Sequence, residues 1–192
     1  MKKYLALGVL LAVAACGGGP SKPPRNLDDA CAIIKERPQY FNAMRRTEAR
    51  WGVPVAVQMA TIHQESKFDG NAKTPQRFAL GIIPLGRQSS AYGYSQALDG
   101  TWDEYREDTR RFGARRNRIS DATDFMGWYM DGTQKKLGIS KADARNQYLA
   151  YHEGRGGYSR GSHRSKSWLL AVADRVASRA QMYEIQLQAC RR

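Results

Sequence analysis

The stretch Val55 to Glu65 reads VAVQMATIHQE. It is long enough for three helical turns and is almost wholly apolar or small. Gly52 suits the C′ position of a preceding helix, and Pro54 suits a first helical residue. A helix with no wet face is stable only when other elements surround it. That requirement predicts a bundle-like, all-α domain built around this segment. The rest of the chain fits. Asp29 to Glu36 reads as a helix capped by Asn26 or Asp28 and ended by Pro38, and Pro38 to Trp51 as a second. Helices are also predicted from Asp99 or Thr101, over Asp121 to Met130, and over Lys141 to Tyr151 with Ser140 as cap. Leu169, Val172, Val176, Tyr183 and Leu187 keep helical spacing in a last helix. Asp69 to Tyr92 holds Gly70, Pro75, Gly81, Pro84 and Gly86 and reads as a long loop with a short strand pair. Loops of that length in compact domains are usually functional.

The beginning of the chain is not part of this fold. Lys2 and Lys3 precede an apolar run, Tyr4 to Ala15, that is shorter than the ~20 residues of a membrane span. Residues 1–15 read as a secretory signal. Val13-Ala14-Ala15-Cys16 resembles a bacterial lipoprotein signal, so Cys16 is expected to carry lipid. Gly17 after it favours the outer membrane over the inner. Residues 16–25 read as a flexible tether, and residues 26–192 as one domain. The expected location is the periplasm. Of the 3 cysteines, Cys31 and Cys190 remain, and an oxidising compartment suggests that they pair. They are too far apart, with too few histidines, to read as a metal site. The net charge of +13 would suit nucleic acid, but an exported chain meets none. Anionic wall polymers and lipid headgroups are its expected counterparts. The densest basic run, Arg106 to Arg118, reads as a solvated helix face with Glu104, Glu107 and Asp108 interleaved.

Three short motifs carry chemistry in order: Glu65-Ser66 at the end of the apolar helix, Gly93-Tyr94-Ser95-Gln96, and Ala150-Tyr151-His152-Glu153-Gly154. Together with Trp51-Gly52-Val53-Pro54 they resemble the lytic transglycosylases of the soluble-Slt type, in the lysozyme-like superfamily. The resemblance covers roughly residues 39 to 160. Tyr94-Ser95 stands where the family has Leu-Met, and His152 where it has Asn. The loop from Lys73 to Tyr92 is longer than usual.

The resemblance implies a lysozyme-like fold and cleavage of peptidoglycan between N-acetylmuramic acid and N-acetylglucosamine, without water, to 1,6-anhydro ends. It implies Glu65 as the sole acid and base, with Tyr151 hydrogen-bonded to it. Gln96, Ser66, Tyr92, Tyr94 and His152 would line the substrate. No metal or organic cofactor is implied, and cell-wall machinery proteins are conceivable partners. The chemistry suits the position. An ordinary Glu is almost fully ionised at neutral pH, but burial raises its pKa and keeps the proton an acid needs. The acid of lysozyme itself owes its raised pKa to such a pocket. His63 points away from Glu65 and reads as structural. A hydrolytic muramidase would need a second carboxylate, for which Asp69 and Glu153 are the candidates. A non-catalytic wall-binding lipoprotein is the alternative of another class.

Overall fold

The computed structural model describes residues 22–79 and 83–190. The expected leader and Cys16 lie outside the described residues. Among those residues there are seven helices and one hairpin: α1 Ala30–Glu36, α2 Pro38–Trp51, α3 Val55–Ser66, β1 Gln76–Ala79, β2 Ile83–Arg87, α4 Asp99–Thr109, α5 Ile119–Leu137, α6 Ala144–Ser159 and α7 Ser167–Cys190. The mainly-α, lysozyme-like reading holds. β1 and β2 pair antiparallel, with an irregular register between Gln76 and Phe78, and this hairpin occupies the long loop.

The apolar segment is the centre, as its composition demands. Every residue of α3 from Val55 to Ile62 is buried. The helix touches α2, α5, α6 and α7. Pro54 caps it instead of opening it, with ψ at 142°. The helix stops because Lys67 and Phe68 both take left-handed backbone, at φ 52° and 61°. Left-handed backbone is unfavourable without glycine. The turn is held by burial: Phe68 is fully enclosed and stacks on Tyr40, ring centroids 5.9 Å apart. Glu65 and Ser66 therefore sit at a sharp corner.

Two other caps differ from expectation. Asp29, not Asn26 or Asp28, caps α1 by accepting from the Ala32 amide at 3.0 Å. Asp143, not Ser140, caps α6 by accepting from the Asn146 amide at 3.0 Å. In both places several capping residues are adjacent, and tertiary packing selects among them. α2 and α5 approach closely at Gly127, where a Cβ would lie 2.4 Å from Trp51 Cδ1.

The basic run is not a helix face. α4 ends at Thr109 and α5 begins at Ile119, so most of it is a connecting loop. Arg111 reaches two carboxylates of α5, Asp121 at 2.8 Å and Asp124 at 2.7 Å. Asp124 also accepts from Arg50 (3.1 Å), the Trp51 indole (2.9 Å) and the Tyr105 hydroxyl (2.8 Å). A buried carboxylate needs such donors to offset lost hydration. Arg116 donates to the carbonyls of Ser90 at 3.0 Å and Ala97 at 2.8 Å. It thereby fixes the segment that carries Gln96. Cys31 and Cys190 form a disulfide between α1 and α7, Cα atoms 5.9 Å apart.

Candidate active site

The site forms where the α3 corner meets the 92–97 segment and α6. The Ser66 hydroxyl is buried and donates to the Tyr94 carbonyl at 2.9 Å. The end of α3 is thus tied to the second motif. Tyr94 itself is 1 % exposed and shares a hydrogen bond of 3.0 Å with the Tyr40 hydroxyl. A ring so enclosed has no face for a sugar. The expectation that Tyr94 stacks on substrate is corrected: it packs in the core, and its backbone serves the site.

Glu65 is partly buried at this corner. Burial pushes its carboxyl up to about 7, and a hydrogen bond from the Tyr148 hydroxyl pulls the other way. The protein is dense around the carboxyl while a limited opening to solvent remains. Tyr148, from α6, is itself held well above the ordinary phenol range by burial and by the Glu65 charge, so it stays a donor. The sequence pointed to Tyr151 for this contact. In the structure Tyr151 donates to the Ser95 carbonyl at 2.6 Å, and its ring meets Tyr129 edge-on at 5.1 Å. It remains close enough for the Glu65 charge to raise its pKa. Tyr148 and Tyr151 share one helix face at a spacing of three, and local pattern cannot say which of them reaches a group on α3.

The other expected residues line up around these. The Gln96 amide nitrogen donates to the carbonyls of Ala72 (3.0 Å) and Gly93 (2.8 Å), which leaves its oxygen for a ligand. Tyr92 donates to Asn71 at 3.1 Å, with Lys73 and the Arg116 guanidinium 5.5 and 5.6 Å from its ring centre. His152 is exposed, pairs with Glu153 at 3.1 Å, and meets the ring of Trp168 edge-on at 5.3 Å.

Neither candidate for a second carboxylate is free. Glu153 is bound by Lys166 at 2.8 and 2.9 Å and by the Ser162 hydroxyl, and these hydrogen bonds hold it down at about 2. So acidic a group is a poor base at neutral pH. Asp69 accepts from the Asn71 amide at 2.8 Å and closes a turn. Just beyond Glu153, α6 kinks at Gly154, with φ 73° and ψ 154°. That region is open essentially to glycine alone. No atom would obstruct a Cβ there, so the constraint is backbone conformation. Gly154→Ala is expected to lower stability by about 1–3 kcal/mol, read from the denaturant midpoint.

The raised Glu65 pKa has a stability consequence. Folding moves it from 4.5 to about 7, so the native state binds the proton more tightly than the unfolded chain. Stability is fully present below the unfolded value and is lost as pH rises through about 7. The loss is at most ~3 kcal/mol, lessened by the residual solvent contact. Glu65→Gln is therefore expected to unfold at a higher temperature than the wild type at pH 8.5, and at nearly the same temperature at pH 4. Thermal scans at both values check this.

The family described as Transglycosylase SLT domain matches residues 4–190. No curated relative matches the chain. The match takes in all three motifs, the corner bearing Glu65 and the helix bearing Tyr148 and Tyr151. The chain belongs to the transglycosylase SLT-domain family of the lysozyme-like superfamily, whose activity is lytic transglycosylation of peptidoglycan.

Proposed function

We propose that this protein cleaves the β-1,4 bond between N-acetylmuramic acid and N-acetylglucosamine without water, with Glu65 as acid and then as base. The observation that carries this is one carboxyl raised to about 7 while both alternative carboxylates are committed elsewhere. A pKa near the working pH lets one group give and take a proton. In the first step the Glu65 proton passes to the glycosidic oxygen and the C1–O bond breaks. The acetamido group of the muramoyl sugar stabilises the positive centre. In the second step the Glu65 carboxylate takes the proton of the muramoyl 6-hydroxyl, and O6 bonds to C1. No water is consumed. Tyr148 holds the carboxylate, and Tyr151 fixes the 92–97 segment through Ser95. The Gln96 oxygen, Tyr92 and His152 contact sugar.

The site of action fits the outer-membrane periplasm, with lipid at Cys16. The Val13-Ala14-Ala15-Cys16 run and a disulfide that needs an oxidising compartment support that location. Mass spectrometry of fragments released from purified peptidoglycan tests the reaction. Anhydro products, one water lighter than hydrolysis products, are expected. Reducing-end products would instead mean a muramidase, and wall binding without release a non-catalytic binder.

A further inference from the structure

Three of the 4 tryptophans are bound into the fold. Trp51 donates its indole N–H to Asp124 at 2.9 Å, and Trp128 donates to Asp108 at 3.2 Å. Trp102 is buried against Tyr105 and Phe125. Trp168 is different. It lies in the first turn of α7 and is 56 % exposed. Its indole N–H has no acceptor among the described residues. Its ring meets His152 edge-on, with centroids 5.3 Å apart and planes at 77°. Such a contact leaves at least one indole face unused by His152. Single exposed apolar side chains are common on protein surfaces, so position decides what this one does.

Trp168 ends a row that starts at the Glu65 carboxyl. Tyr148 donates to Glu65, the Tyr148 and His152 rings lie 6.4 Å apart, and His152 touches Trp168. Exposure rises along the row: Tyr148 is 4 % exposed, the His152 side chain 36 % and Trp168 56 %. The row therefore leads outward from the partly buried carboxyl to solvent, and a short run of linked sugars spans it. The outer end is also fixed in place. Glu153, next to His152, accepts from Lys166 at 2.8 and 2.9 Å, and Lys166 stands two residues before Trp168. A rigid aromatic held in this way binds at a low cost in side-chain freedom. A pyranose has a face of C–H groups and a rim of hydroxyls. The indole offers a flat, electron-rich face for the first and an N–H donor for the second.

We infer that Trp168 is a platform for the glycan strand, stacking on a sugar removed from the bond that is cleaved, and that it makes the protein prefer long strands to short ones. This rests on the glycan of peptidoglycan as substrate. A disaccharide held at Glu65 does not reach the indole, whereas a longer strand covers both.

The test needs no cleavage. The full chain carrying Glu65→Gln is titrated with the β-1,4-linked dimer and tetramer of N-acetylglucosamine, which bear no peptide, and followed by calorimetry and tryptophan fluorescence. The tetramer is expected to bind about tenfold more tightly than the dimer, the size of effect one well-placed tryptophan supplies. Trp168→Ala should remove that difference with an unchanged thermal midpoint. Trp168→Tyr should keep most of it, while the change in emission that the tetramer causes in the parent should disappear. Equal binding of dimer and tetramer, binding of neither, or a tetramer affinity untouched by Trp168→Ala would overturn the inference. Length-dependent binding through Trp168, in a protein whose wild type releases no fragments from peptidoglycan, would sink the catalytic reading and leave this one standing. Fragment release by the wild type with no role for Trp168 in binding would do the reverse.

Discussion

Glu65→Gln is expected to slow release of soluble fragments from peptidoglycan by at least ~10³-fold. Glutamine keeps the shape and can still accept from the Tyr148 hydroxyl, so the corner at the end of α3 should persist. What it lacks is the proton. One group serves both steps, so its loss removes the acid and the base together. Glu153, held by Lys166 and Ser162, and Asp69, bound into its turn, are not placed to substitute. Fragment release by the variant, with circular dichroism to verify its fold, is the measurement. Full activity would end the proposed mechanism. The two tyrosines should separate in the same assay. Tyr148 donation lowers the Glu65 pKa, so Tyr148→Phe is expected to move the alkaline limb of the pH–rate profile to higher pH. Tyr151→Phe should reduce activity and leave that limb in place.

The second large effect concerns stability. Cys31 and Cys190 lie 159 residues apart. Closing so long a loop restricts the unfolded chain by ~5 kcal/mol in the chain-entropy model, with ~2–5 kcal/mol usual in practice. Folded domains are stable by only ~5–15 kcal/mol. Replacing both cysteines by serine should therefore lower the melting temperature by roughly 10 °C. The native contacts of α1 should survive. Gln186 still bonds the Ala30 amide at 2.8 Å and the Asp28 carbonyl at 2.9 Å, and Arg179 still pairs with Asp28. A lowered transition with an unchanged native spectrum is the expected calorimetric and spectroscopic outcome. The same shift should follow from adding reductant to the wild type.

What is legible in the chain alone is what depends on local pattern. The burial of α3 follows from a composition that has no polar face. The positions of α2 and α7 follow from their spacing and from Gly52. Glu65 stands out because a carboxylate ends an apolar run. What is not legible depends on which groups meet across the fold. Arg111 looks like a surface residue until Asp121 and Asp124 are brought beneath it by α5. Tyr94 looks like a sugar platform until Tyr40 packs edge-on against it and shares its hydroxyl. Tyr148 and Tyr151 differ only in rotation about α6, and the motif draws attention to the second while the first holds the carboxyl. Trp168 and Glu65 stand more than a hundred positions apart, and no spacing rule connects them.

The disulfide between the first helix and the last also changes the topology of the molecule. From Cys31 to Cys190 the backbone is a closed ring, and every part of the candidate site lies on it. A protease that cuts once anywhere on that ring, in the β1–β2 hairpin or the α4–α5 loop, opens a circle and severs nothing. The two pieces remain one molecule, still packed against each other, until a reductant reaches the sulfurs. For this enzyme a single nick is a change of connectivity, not a loss of mass.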